Sequence, residues 1–66
     1  MTITLNGEAR EVVRARNVAE LIDELGLPAP ATLAEHNGLA LRRNEWASHA
    51  LAEGDRIEFV RIVAGG

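Results

Sequence analysis

Cysteine is absent from this 66-residue chain, and His36 and His49 are its only histidines. Those absences exclude a disulfide framework and the usual zinc or iron-sulfur sites. Lysine and tyrosine are absent too, so all seven bases are arginine. One Trp, one Phe and a net charge of -3 leave neither the positive field nor the stacking aromatics of a nucleic-acid binder. No long apolar run and no basic leader follow Met1, which argues against a membrane span or signal peptide and leads us to expect a cytoplasmic protein. Repeats and low-complexity runs are lacking, and the two prolines, Pro28 and Pro30, share one short loop. What is present is a modest apolar stock: 47% of the chain is hydrophobic, but 11 of those residues are Ala. A chain this short buries only about 60% of its unfolded surface, so one small domain is the limit.

Ile3 and Leu5 alternate with Thr2, Thr4 and Asn6, and Asn6-Gly7 is a strong two-residue hairpin signal. Residues 1–6 and roughly 8–14 therefore read as an antiparallel pair, with Val12 and Val13 in the second strand. Asn17 is placed to cap a helix, Glu20 to complete a capping box, and Gly26 to stop it. Val18, Leu21, Ile22 and Leu25 form one apolar stripe, with Glu20, Asp23 and Glu24 opposite. Residues 32–36 and 39–41 read as a second hairpin about Asn37-Gly38. Residues 43–52 are too mixed for a regular element, although 44–47 suit one helical turn. Gly54-Asp55 marks a turn before a last strand over 56–62. One striped helix must cover one face of one sheet, and the apolar first and last strands need burial side by side. The expected fold is α+β: a ubiquitin-like β-grasp, with a mixed sheet of four to five strands covered on one face by one helix.

In the last strand Glu58 must face water, so Ile57 and Phe59 face the helix while Val60 and Ile62 point outward with Glu58. Two exposed β-branched residues beside an acid on an open sheet face form a candidate partner-binding patch. Arg61 falls on the inward phase, where an unpaired guanidinium is costly, so the strand is expected to leave the sheet there. The domain is thus read as residues 1–62, followed by a flexible tail, Val63-Ala64-Gly65-Gly66. A terminal glycine presents a carboxylate with no side chain beside it. Such an end can thread a narrow channel and attack ATP to give an acyl-adenylate, and Gly65 permits the close backbone approach this requires.

The Asn37-Gly38 turn, Arg43, Trp46, Leu51, Gly54-Asp55, Ile57 and the final Ala64-Gly65-Gly66, in that order and at this length, resemble the ThiS family of thiamine-pathway sulfur carriers. Relatives often carry Pro before the basic residue matching Arg43, where this chain has Arg42. The resemblance implies a carrier and not an enzyme. A separate adenylating enzyme, related to the ubiquitin-activating ones, would use ATP to activate the Gly66 carboxylate, and the carrier itself would bind no cofactor. Sulfur drawn from cysteine through a desulfurase system would then give a thiocarboxylate, which thiazole synthase would consume. Val63, Ala64 and Gly65 would thread the channel. The alternatives are a molybdopterin-synthase small subunit type of carrier, a ubiquitin-like covalent modifier, and a docking module with an inert end.

Other residues have plainer readings. His36 and His49 have no carboxylate or nucleophile placed beside them by a motif and read as surface or loop histidines. Trp46 reads as a lid on the core, and Arg42-Arg43 as a solvated pair. The absence of lysine removes internal amines that would attack an activated end, but is read as compositional bias toward Ala and Arg.

Overall fold

A computed structural model describes residues 1–63 of the chain. The alternating opening segment forms β1 (Thr2–Leu5), which turns through Asn6 and Gly7 into β2 (Glu8–Glu11). Asn6 and Gly7 have φ of 49° and 83°, the left-handed pair a tight hairpin needs to match the twist of its strands. The second strand is shorter than the expected 8–14. Backbone pairing persists to Val12, whose N–H donates to the Met1 carbonyl at 2.7 Å, and Val12 is buried. Val13 then turns outward at 81% exposure.

Helix α1 (Val18–Glu24) follows, with the Asn17 side chain accepting from the Glu20 N–H at 2.9 Å. The expected box closes one residue early: Glu20 Oε1 accepts from the Arg16 N–H at 2.8 Å, not from Asn17. Glu24 also reaches backward, accepting from the amides of Arg14 (3.0 Å) and Ala15 (2.9 Å). The outer-face acids of α1 therefore hold the loop that leads into it. Val18, Leu21 and Ile22 are buried, Leu25 is half-buried, and Gly26 ends the helix at φ 69°.

The chain crosses a short 3₁₀ turn (Ala29–Ala31) into β3 (Thr32–His36), and Asn37-Gly38 returns it as β4 (Leu39–Leu41). The mixed stretch beyond is a longer 3₁₀ segment than expected, Arg43–Ser48, which places Trp46 in the core at 5% exposure. Backbone bonds from Val18 N to the His49 carbonyl and from Leu51 N to the Arg16 carbonyl stitch this segment to the start of α1. Strand β5 (Arg56–Arg61) completes a five-stranded sheet in the order β2-β1-β5-β3-β4. β1 and β5 run parallel, and the other pairs are antiparallel. Ile3, Val18, Leu21, Ile22 and Ile57 form the fully buried centre between sheet and helix. Each contributes about 1.5–3 kcal/mol by leaving water. This is the expected β-grasp arrangement, with β5 in its middle.

Candidate functional site

The register of β5 decides which side chains the open sheet face presents. Ile57 is fully buried and Phe59 packs half-buried against the core, so the intervening Glu58 and Val60 face away from α1. Val60 is 56% exposed and Ile62 47%. Ile62 lies one residue past β5, yet its N–H still donates to the Ala31 carbonyl at 2.7 Å. The last described residue, Val63, is exposed. Arg61 closes β5 and is exposed, paired across from Thr32. Ala64, Gly65 and Gly66, the expected threading and reacting positions, lie outside the described residues.

The sequence reading missed the β3 half of the patch. Leu33 stands directly opposite Val60 and is 53% exposed, while Glu35 stands opposite Glu58. The signal was available in Thr32-Leu33-Ala34. The small Thr32 and Ala34 are the buried residues beneath the helix layer, which turns the larger Leu33 to solvent. A leucine out and an alanine in is the reverse of what hydrophobicity alone suggests. Leu33, Val60 and Ile62 thus give an aliphatic strip bordered by two acids, positioned where the chain leaves the sheet.

The histidines require a correction. His36 Nδ1 and His49 Nδ1 lie 3.1 Å apart, and His36 Nε2 is 2.7 Å from Asp55 Oδ2. They are not independent loop residues but two members of a partly buried chain that joins the end of β3, the segment after the second 3₁₀ turn, and the turn before β5. Asp55 also accepts from Asn37 Nδ2 at 3.1 Å and from the Ala52 N–H at 2.9 Å. Burial alone would raise its carboxyl, but the hydrogen bonds from His36, Asn37 and Ala52 outweigh it and hold the group below the ordinary value. All three partners are structural elements, so the cluster acts as a clasp. Among the described residues no three acidic or histidine side chains converge as metal ligands, and no helix is long and apolar enough to cross a membrane.

Comparison with known proteins places this geometry. The ThiS family model matches residues 3–66. The sulfur carrier protein ThiS of Escherichia coli is 29% identical over 66 residues, the whole of both chains. The chain is also 30% identical to a thiazole synthase of Paramagnetospirillum magneticum, of whose length it spans only 20%. Among solved structures, the crystal structure of thiamine biosynthesis protein ThiS from Geobacter metallireducens superposes with a TM-score of 0.84 at 33% identity, each chain being fully covered. The solution structure of a thiamine biosynthesis protein from the same organism gives 0.82, with 88% of that chain covered.

Proposed function

The chain belongs to the ThiS family, and from that premise we propose that it is a sulfur carrier for thiamine biosynthesis whose reacting group is the Gly66 carboxylate. The observation that carries the reading is the family match, which runs through Ala64-Gly65-Gly66 to position 66. A free carboxylate is a poor electrophile. Attack of its oxygen on the α-phosphorus of ATP releases pyrophosphate and leaves an acyl-adenylate, from which the terminal sulfur of a persulfide displaces AMP to give an acyl disulfide. A second thiol then cleaves the S–S bond, forming a disulfide with the donor and releasing the thiocarboxylate. The thiocarboxylate so formed hands sulfur to thiazole synthase. The carrier contributes a recognisable body and a slender end, while a separate adenylating enzyme supplies the catalysis and a cysteine desulfurase system supplies the sulfur.

Docking falls to the strip of Leu33, Val60 and Ile62 with Glu58 beside it, because these exposed side chains flank the point where the tail departs. A segment similar to the whole chain lies within a protein named thiazole synthase. That supports thiazole synthase as recipient over a molybdopterin-synthase partner. The test is mass spectrometry of the chain after incubation with the activating enzyme, ATP and a sulfur source. Exchange of one oxygen for sulfur at Gly66 is expected. Conjugates to lysines of other proteins would instead establish a covalent modifier, and an unchanged mass would establish an inert docking module.

A further inference from the structure

Helix α1 has seven residues and so spans about 10 Å, whereas the six residues of β5 span about 20 Å. The helix cannot cover the end of the sheet from which the chain exits. What it leaves is a groove of about 400 Å³ whose apolar lining includes Leu5, Leu25, Leu27 and Phe59, all only half-buried. Phe59 is the only phenylalanine of the chain, and burying it fully would be the obvious use of so large a side chain in so small a core. Arg10 and Arg61 also line the groove. Neither makes an ion pair or a side-chain hydrogen bond among the described residues. Glu24, the carboxylate whose field Arg10 shares, is already engaged by the backbone of Arg14 and Ala15.

We propose that this groove, on the helix side of β5 and reaching Val60 at its edge, is a second docking surface. It takes an acidic-apolar segment of the activating enzyme, an apolar side chain against Phe59 and carboxylates on Arg10 and Arg61. The charge supports this occupant: two guanidiniums without an ion pair among the described residues border a largely apolar hollow that no acidic side chain lines. The position supports it as well, because Arg61 closes β5 only two residues before the last described residue, Val63. The inference rests on the carrier reading given above.

The test measures ATP–pyrophosphate exchange by the activating enzyme as a function of carrier concentration. The double variant Arg10→Glu/Arg61→Glu should raise the KM for the carrier about tenfold and leave kcat and the melting temperature unchanged. The wild-type KM should rise with salt, and that dependence should flatten in the variant. Should the charge reversal fail to fold, Arg10→Gln/Arg61→Gln should still raise KM by about threefold. A KM unchanged in the folded variants overturns the proposal. So does a lowered KM, which would mean that the groove holds the carrier's own tail and releases it on charge reversal. A wild-type chain that supports no exchange at all would instead overturn the carrier reading, and the named partner with it.

Discussion

At the scale of single residues, Asp55 concentrates more structural consequence than any other ionisable group described. Its carboxylate receives N–H groups from His36, Asn37 and Ala52, joining three segments distant in sequence. Because its folded pKa is depressed, its contribution is fully present above the ordinary carboxylate range and is lost as pH falls through the lower folded value. Asp55→Asn should therefore cost about 1–3 kcal/mol at neutral pH. It should also remove part of the acid-induced loss of stability below about pH 4. Urea unfolding at several pH values checks both, and parallel curves for the two proteins would refute the assignment. The same contacts fix tautomers. With Nε2–H donating to ionised Asp55, a neutral His36 offers Nδ1 as acceptor, so His49 must carry its proton on Nδ1. Nitrogen chemical shifts in mildly alkaline solution should show the Nδ1–H form for His49 and the Nε2–H form for His36. The reverse pair of tautomers would mean that the chain of bonds is oriented differently.

At the scale of elements, β5 divides its side chains between core and solvent by alternation. Ile57 is fully buried beneath α1, so Ile57→Ala should cost about 2–5 kcal/mol and leave a domain of this size largely unfolded. Val60→Asp and Ile62→Asp change only the exposed side. Circular dichroism should show a folded protein, while the KM for the activating enzyme rises. A substantial loss of melting temperature in Val60→Asp would show that the open face is packed and not free. Phe59 lies between these limits, since the short helix leaves it half-buried, and Phe59→Ala should cost less than the about 3–5 kcal/mol of a fully enclosed phenylalanine. This inward and outward order was legible because period two over Arg56 to Ile62 admits one phase once Glu58 is in water. The hairpins were equally legible, since Asn6-Gly7 and Asn37-Gly38 carry their own backbone chemistry. The His36–His49–Asp55 clasp was not. Its members are 13 and 19 residues from His36, and only tertiary packing of the irregular 43–55 stretch brings them together. Likewise the reach of Glu24 back to Arg14 and Ala15 reflects where α1 happens to sit above the incoming loop. Glu24→Ala should accordingly speed amide exchange at Arg14 and Ala15 more than within α1, and equal effects in both places would contradict the capping role.

At the scale of the whole molecule, the core and the hydrogen bonds found among the described residues lie within residues 1–62, while the proposed chemistry lies at Gly66. Ala64, Gly65 and Gly66 offer almost no apolar surface to bury. Deleting Gly65 and Gly66 should therefore leave the melting temperature nearly unchanged and abolish pyrophosphate exchange. Extension is the sharper test, since it retains every residue of the chain. One residue added after Gly66 converts the carboxylate proposed to react into a peptide carbonyl and moves the free carboxylate one residue further on, so under the proposed mechanism exchange should vanish although residues 1–66 are unchanged. Gly66→Ala keeps the carboxylate at the same position but adds a methyl that would crowd the proposed channel, and its exchange rate should fall between those of the wild type and the extended form. Both variants should bind the activating enzyme through the unaltered surfaces of β5 and compete with wild-type carrier, which separates recognition from reaction. Normal exchange by the extended chain would mean that activation does not occur at Gly66, and the carrier mechanism would then have to be abandoned even with the fold and the docking surfaces intact.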